Sequence, residues 1–252
     1  MDLLWWHFPL LFLVGLIAGT VDAIAGGGGL ITVPALLNLG LPVPLVLGTN
    51  KFQSSFGSVS ATVHFLRTGA VTLRECRLGI LMTLTGALLG AFAVQQLDSD
   101  FLARLVPWML AAILVYTLLR PAAGIKEQPA HLPWHIFFIA FGLGLGFYDG
   151  FFGPGVGSFW AIAFVLLLGQ SFSRATALTK VMNATSNVAS FALFALAGNV
   201  HYVAGIAMAA GQLLGGRIGA GLVITRGARF VRPIFMIMAA ATLLRLLWVT
   251  YR

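Results

Sequence analysis

The sequence consists of long apolar stretches, separated by short polar connections and broken at two places by glycines with an aspartate beside them. Apolar residues dominate eight stretches, which are 9–47, 50–66, 77–97, 101–119, 134–170, 178–197, 203–222 and 232–250. About 20 apolar residues are enough for a helix to cross a bilayer. The pattern therefore predicts an all-α polytopic membrane protein, in which residues 1–252 form a single membrane domain.

Composition and charge indicate the same class of protein. Hydrophobic residues make up 59% of the chain and charged residues 9%, whereas soluble domains contain about 25% charged residues. In a soluble protein the net charge of +8 would favour nucleic-acid binding. Here the basic residues gather in the connections between apolar stretches, as the positive-inside bias of membrane proteins predicts. We therefore expect the lipid bilayer, and no nucleic acid, as a partner.

The first apolar stretch ends in AIAGG, which resembles the cleavage site of a signal peptide. The residues before it contain no Lys or Arg and carry Asp2 instead, whereas a signal peptide begins with a positively charged region. The same aspartate-then-glycine pattern also recurs deep in the chain. We therefore interpret residues 8–25 as part of the membrane domain.

The chain contains an internal repeat, in which residues 12–119 align with residues 141–250. The matched pairs are Asp22/Asp149, Gly26/Gly153, Lys51/Lys180, Gly69/Gly198, Gly86/Gly215, Gly90/Gly219 and Phe101/Phe230. This predicts two homologous halves, repeat 1 over about 9–119 and repeat 2 over about 134–250, joined by a polar linker at 120–133. Each half then consists of a glycine-broken helical hairpin followed by three transmembrane helices.

The basic residues of the connections favour inverted halves. If each broken segment returns to the side on which it began, nine of eleven basic connection residues lie on the cytoplasmic side. If it crosses the membrane, the split is six to five. The positive-inside rule therefore predicts inverted-topology repeats with both termini outside. In transporters of this architecture the substrate site lies where the repeats meet.

Two glycine clusters are candidates for a substrate-binding site. Their members are Gly26, Gly27, Gly28 and Gly29 in the first half and Gly153, Gly155 and Gly157 in the second. Each glycine costs a helix about 1 kcal/mol relative to alanine, so we expect a helix to stop near Gly26 and another to start near Leu30. The free N–H groups of a helix start bind anions. Alternatively, the glycines only let helices pack closely, which is our interpretation of Gly86 and Gly90.

A polar stripe follows each glycine cluster. Side chains four residues apart share one face of a helix, which predicts two matched stripes, Asn50, Ser54 and Ser58 in the first half and Thr179, Asn183 and Asn187 in the second. Lys51 and Lys180 lie beside them at matched positions. Donors on one stripe with a nearby cation suit a small oxyanion. A lysine in such a segment is also compatible with an anchor that reaches the membrane surface, and the sequence leaves both interpretations open.

Asp22 and Asp149 lie close to the breaks, where a carboxylate costs about 2.5 to 3.5 kcal/mol on insertion scales. One interpretation is that each aspartate caps the restarted helix or pairs with a lysine. The other is proton coupling, in which the carboxylate carries a proton during transport. The sequence does not decide between them.

No catalytic or metal-binding arrangement stands out in the sequence. The run GLGLG at 142–146 lacks the strand and the downstream acid of a dinucleotide site. His131 and His135 are four residues apart, but Pro133 lies between them and neither cysteine nor carboxylate completes a metal set. We therefore expect no enzymatic activity, no cofactor and no metal.

Five motifs resemble those of the sulfite exporter TauE/SafE family of bacterial membrane transporters. They are AGGGGLITVPALL, GTNKFQSSFGS, GFYDGFFGPGVGSF, ALTKVMNATSN and GQLLGGRIGA. The resemblance covers nearly the whole chain and implies a multi-pass protein of the bacterial inner membrane that moves small sulfur-containing or carboxylate anions. Pro154 and Val156 interrupt the second glycine cluster, so the two halves need not contribute equally to a site. An anion channel and a non-transporting membrane assembly factor are the alternatives.

Overall fold

A computed structural model of the chain describes residues 4–98, residue 101 and residues 129–226. Within this part there are eight helices and no strand, which confirms the all-α prediction. The helices of the first half are α1 (His7–Ala25), α2 (Gly29–Leu37), α3 (Val43–Arg67) and α4 (Leu73–Val94). Those of the second half are α5 (Trp134–Phe151), α6 (Val156–Leu168), α7 (Phe172–Leu196) and α8 (Tyr202–Arg226). The spans predicted at 101–119 and 232–250 and most of the linker lie outside the described residues.

The helix ends follow from local chemistry. α1 ends where Gly26 adopts a left-handed φ of 76°, which glycine tolerates and other residues rarely do. α4 begins with a capping box, in which Thr72 N–H donates to Glu75 Oε1 at 2.6 Å and Glu75 N–H donates to Thr72 Oγ1 at 3.4 Å. The predicted break, with a helix end near residue 26 and a restart near residue 30, is therefore correct to within one residue.

Two predicted spans were too short at their N-terminal ends. The stretches 50–66 and 178–197 correspond to α3, which starts at Val43, and to α7, which starts at Phe172. The polar residues near positions 50 and 180 lie on helices, as predicted, but well inside them and not in their first turns. The helices continue through these residues because other side chains of the bundle, and not lipid, surround them.

Contacts along the helices establish their relative directions. α1 and α8 run parallel, because later residues of α1 contact later residues of α8. The contacts are Gly15–Met208, Gly19–Gln212 and Thr20–Gly219. α3 and α8 also run parallel, through Gly48–Asn199, Phe52–Gly205 and Gly57–Gln212. α4 and α5 run parallel through Met82–Gly142, Thr83–Gly146 and Ala87–Gly150. α1, α3 and α8 therefore share one direction.

The remaining long helices run the opposite way. Thr49 accepts a hydrogen bond from the His201 N–H at 2.9 Å, so α3 begins beside the α7–α8 connection. Arg174 pairs with Glu75 at 2.8 Å, so α4 begins beside the start of α7. Because α7 is a continuous helix of 25 residues, these two places are at opposite ends of the bundle. α4 therefore runs against α3, and α5 and α7 run with α4.

These directions mean that each broken segment returns to the end where it began. α1 and α3 are parallel, so α2 carries the chain back between them, and α6 does the same between α5 and α7. The first half is thus traversed in the direction opposite to the second. Inverted repeats require such directions, and they support that prediction, while the placement of either end on a given side of a membrane stays a prediction.

The arginines of the described part lie toward one end of the bundle, where α3 and α8 end and α4, α5 and α7 begin. They are Arg67, Arg74, Arg77, Arg174, Arg217 and Arg226. By the positive-inside rule this end is expected on the cytoplasmic side.

The most polar helices lie inside the bundle. Among the described helices, α1, α4, α5 and α8 are long and apolar enough to cross a membrane. α3 and α7 are of similar length but carry polar residues, and they pack against each other and against α8 and α4 respectively. Glycines let the outer helices approach closely, as predicted for Gly86 and Gly90, which lie against the backbone of α5. This arrangement places the polar residues of α3 and α7 in the centre.

Candidate functional site

The two glycine breaks meet in the centre of the protein. The backbone of Gly26 lies against that of Gly157, and a Cβ added to Gly26 would lie only 2.6 Å from the Ser158 nitrogen. Ser158 Oγ donates a hydrogen bond to the Ala25 carbonyl at 3.0 Å, which ties the start of α6 to the end of α1. Glycine is therefore needed at this crossing both for its backbone angle and for its lack of a side chain.

The second break has its own fixed geometry. Gly153 and Gly155 adopt positive φ values of 100° and 83°. Tyr148 Oη donates to the Pro154 carbonyl at 2.8 Å, which holds the loop against α5. Gly29 at the start of α2 faces Pro154, whose Cα would lie 3.0 Å from an added Cβ. The starts of α2 and α6 thus lie close together.

The polar stripes of α3 and α7 face each other across this centre. Asn187 Nδ2 donates to Ser58 Oγ, and Lys51 Nζ donates to Asn187 Oδ1, both at 3.4 Å. Thr32 of α2 donates to Asn50 Oδ1 at 2.6 Å. These contacts bind the first stripe to α2 and to the second stripe, so residues from both halves form one polar cluster.

Two ion pairs of the central cluster cross between the halves. Lys180 Nζ of α7 donates to Asp22 Oδ2 of α1 at 2.8 Å. At the matched positions Lys51 Nζ of α3 donates to Asp149 Oδ1 of α5. Each lysine is therefore neutralised by the aspartate of the other half. A buried ammonium without such a partner would be strongly unfavourable.

The two ion pairs differ in their exposure. The side chains of Lys51 and Asp149 are 1% and 2% exposed, and Ser186 Oγ donates to the second carboxylate oxygen of Asp149. The side chain of Asp22 is 21% exposed, although that of its partner Lys180 is only 1% exposed. Asp22 Oδ1 also accepts the Gly28 N–H at 3.2 Å, at the start of α2. Asp149 is therefore enclosed, and Asp22 is open to one side.

A small cavity of about 20 Å³ lies between the breaks and the two polar stripes. Its lining residues are Asp22, Gly26, Gly29, Asn50, Lys51, Ser54, Asp149, Gly153, Gly155, Val156, Asn183 and Asn187. A volume of this size holds about one water molecule. The cavity is thus smaller than a sulfur oxyanion in the conformation described here.

Most residues that the sequence analysis selected line this cavity, and six, among them Ser58 of the first stripe, do not. Lys180 lies behind Asp22, to which it is bonded, and Gly28 contacts the same aspartate. Gly157 supports Gly26 from α6. Gly27 and Thr179 are also absent from the lining. Two buried side-chain oxygens, Thr179 Oγ1 and Asn183 Oδ1, have no hydrogen-bond partner within the described residues.

Sequence reasoning missed three residues of the cluster, Ser186, Thr32 and Gln53, the last of which donates to Asn50 Oδ1 and Ser54 Oγ at 2.9 Å. Ser186 holds the enclosed carboxylate of Asp149, and Thr32 holds the amide of Asn50. Ser186 follows Asn183 by three residues, so its position on the polar face was a detectable signal. Thr32 sits in an otherwise apolar helix, and only its contact across to α3 reveals its role.

Comparison with known proteins identifies a membrane-transporter family and several similar proteins. The profile of the family described as sulfite exporter TauE/SafE matches residues 11–246. A probable membrane transporter protein of Haemophilus influenzae is 44% identical over 230 residues, which cover 91% of this chain and 90% of that protein. The probable membrane transporter protein YfcA of Escherichia coli K12 is 42% identical over 239 residues, with coverages of 95% and 89%. The probable membrane transporter protein ORF9 of a Sinorhizobium species is 41% identical over 246 residues, with coverages of 98% and 94%. No solved structure gives a significant match.

Proposed function

Since the chain belongs to the sulfite exporter TauE/SafE family, we propose that it is a carrier that exports small anions across the bacterial inner membrane. The substrates are sulfite, organosulfonates or related sulfur-containing or carboxylate anions. The substrate site lies between the two glycine breaks, where α3 and α7 meet. The names of the relatives support a membrane transporter, and the chemistry of the polar cluster supports an anionic substrate.

The observation that carries the proposal is the pair of buried lysines at matched positions of the two halves. Lys51 and Lys180 are 1% and 0% exposed, so neither is an interface anchor that reaches headgroups. Burying two ammonium groups is costly, and a structural role alone would be served as well by apolar side chains of similar size. Ammonium groups beside amide donors and two helix starts form a favourable environment for an oxyanion.

A carrier is proposed rather than an anion channel because the site has to open before an anion can bind. In this conformation the cavity between the breaks holds about one water molecule. An oxyanion enters only if the surrounding groups move. The two crossed ion pairs are the contacts that have to rearrange, because they lie between the breaks and join the halves. Substrate binding and rearrangement of the halves are thus linked in this proposal.

The proposal is tested first by ligand-dependent stability. Purified protein is heated with sulfite, sulfate, thiosulfate, methanesulfonate or acetate, and an anion that binds the folded state raises the melting temperature. Proteoliposomes loaded with the labelled anion then distinguish a carrier, which shows saturable transport, from an assembly factor, which shows none.

A matched pair of variants tests the site. Lys180→Gln is expected to abolish the stabilisation by anion, because it removes the ammonium group behind Asp22. Arg174→Gln removes a cation of the same helix that pairs with Glu75 at its exposed end, and should leave anion binding unchanged. Equal anion binding by both variants would contradict the proposed site, and the absence of a response to any anion would contradict the proposed function.

A further inference from the structure

The charges of the central cluster cancel, which makes the binding of an unaccompanied anion unfavourable. Lys51, Lys180, Asp22 and Asp149 form two ion pairs, so the cluster has no net charge when all four groups are ionised. A monoanion that entered unaccompanied would leave one negative charge in excess. In a poorly hydrated interior such an uncompensated charge is strongly unfavourable.

An anion also has to compete for the ammonium groups. Asp22 Oδ2 occupies the Lys180 ammonium at 2.8 Å, and Asp149 occupies that of Lys51. An anion that takes the place of either carboxylate displaces a second negative charge into the same small space. Protonation of the displaced carboxylate removes this conflict, because the neutral acid no longer competes for the lysine.

The surroundings of the two carboxylates single out Asp22. Asp149 is 2% exposed, and both of its oxygens are engaged, by Lys51 and by Ser186. Both carboxylates line the cavity, but Asp22 is 21% exposed. Its second contact, from the Gly28 N–H at 3.2 Å, can be kept by the carbonyl oxygen of a protonated acid. Asp22 is therefore the carboxylate that is better placed to accept a proton.

Within the described residues, few other charged groups lie near Asp22. Lys180 of α7 contacts it, and Lys51 and Asp149 lie across the cavity. The other ionisable residues of the helices packed on α1 are His64 and Arg67 of α3, Arg174 of α7, and Tyr202, Arg217 and Arg226 of α8. Arg217 lies 3.4 Å from His64 Nδ1 and Arg174 pairs with Glu75, so these groups have partners elsewhere. α2 and α6 contain no ionisable side chain.

From these contacts we infer that Asp22 binds one proton for each monoanion that binds. The proton forms an O–H bond on Asp22, the ion pair with Lys180 opens, and the anion takes the place of the carboxylate beside the ammonium. Net charge is conserved, since one positive and one negative charge enter. This inference rests on the proposed function and adds proton uptake to its binding step.

Isothermal titration with methanesulfonate tests the inference, because this strong-acid anion keeps a single charge at every pH used. Titrations in two buffers of different ionisation enthalpy count the protons taken up on binding. For the wild-type protein we expect about one proton per anion, and a dissociation constant that rises about tenfold per pH unit as the pH is raised. Anion binding without proton uptake would overturn this inference and leave the proposed function intact.

Variants assign the proton to a residue. Asp22→Asn should bind methanesulfonate with an affinity that no longer depends on pH, and without proton uptake. Glu75→Gln, which changes a carboxylate outside the cavity, should keep the wild-type proton uptake, and so should Asp22→Glu, which keeps a carboxylate in place. Retained proton uptake in Asp22→Asn would overturn the assignment to Asp22. Lack of methanesulfonate binding by the wild type at any pH would contradict both this inference and binding of sulfonates in the proposed function.

Discussion

The two halves of the protein carry the same charged residues in different surroundings. In one crossed pair, Asp149 and Lys51 are both enclosed, and Ser186 completes the contacts of the carboxylate. In the other, Lys180 is enclosed but Asp22 is 21% exposed and faces the start of α2. Residues at matched positions of the repeat are thus equivalent in type and unequal in environment.

This difference indicates how a repeat with matched residues can serve a directional process. A carrier must expose its site to one side at a time, and broken helices at a repeat interface suit that cycle. If the halves exchange their environments, Asp149 becomes the open carboxylate and Asp22 the enclosed one. The crossed pairs would then be the contacts that alternate.

The sharpest test of the comparison asks whether the halves face opposite sides of the membrane. Thr68 follows α3 and Ala197 follows α7, which are the corresponding helices of the two halves. Both residues are exposed. In a Cys76→Ser background, cells with Ala197→Cys should react with a membrane-impermeant maleimide, and cells with Thr68→Cys should not react until they are permeabilised. The expected difference is all or none, because the two connections lie at opposite ends of the bundle.

Equal labelling of both positions in intact cells would contradict the inverted arrangement. Cys76 itself is buried, so its removal eliminates background without changing an exposed surface. Permeabilised cells, in which both cysteines should react, provide the control for folding and expression.

The largest effect on stability is expected when the enclosed ion pair of Lys51 and Asp149 is broken. Asp149→Asn leaves the Lys51 ammonium buried and without its counter-charge, which typically costs about 3 to 5 kcal/mol. Asp22→Asn should cost less, because the open side of that pair lets water approach Lys180. Chemical unfolding in detergent, or the melting temperature where unfolding is irreversible, measures the order of the two variants.

A double variant identifies the cause of that loss. Lys51→Met together with Asp149→Asn removes the charge as well as its partner, and should recover much of the stability that Asp149→Asn alone loses. A double variant that recovers no stability relative to Asp149→Asn would show that the lost hydrogen bonds of Asp149, and not the unpaired ammonium, dominate.

The sequence was sufficient to predict much of this architecture. The apolar stretches predicted the helices, and the four glycines after Ala25 predicted the break between α1 and α2. Asp22, Lys51, Asp149 and Lys180 were selected because they recur at matched positions in apolar surroundings, where charged side chains are costly. These signals are local in the chain or repeat along it, which is why they can be read without a structure.

Other features depend on contacts that no local pattern records. The sequence allowed each aspartate to pair with either lysine, and only the fold, which brings Asp22 to Lys180 and Asp149 to Lys51, determines the crossed pairs. The starts of α3 and α7 were misplaced because their polar residues suggested an end to the apolar span. The contact between Gly26 and Gly157 likewise arises from two segments that are far apart in sequence.

A smaller effect is expected from side chains added to the breaks. Gly26→Ala places a methyl group against the Ser158 nitrogen at 2.6 Å and at a φ of 76°, where a non-glycine residue costs about 1 to 2 kcal/mol. Gly153→Ala instead places it 2.6 Å from Lys51 Nζ, against the enclosed pair. We expect both variants to lose at least about 2 kcal/mol of stability.

Gly27→Ala is the matched control for the breaks. A Cβ on Gly27 meets no atom closer than 3.9 Å, so the change should alter the free energy of unfolding by less than about 0.5 kcal/mol. If Gly27→Ala were as destabilising as Gly26→Ala, flexibility of the glycine run rather than close contact would be the requirement.

Among the three ion pairs within the described residues, the smallest effect is expected from the third, which is not part of the central cluster. Arg174 and Glu75 also join the two halves, at 2.8 Å, but their side chains are 42% and 25% exposed. An ion pair in contact with water contributes less than about 1 kcal/mol, because each group is well solvated when alone. Arg174→Gln keeps Glu75 and its capping box at the start of α4, and should change the melting temperature slightly and anion transport not at all. A loss as large as that of Asp149→Asn would mean that joining the halves, and not burial of charge, is what makes the central pairs important.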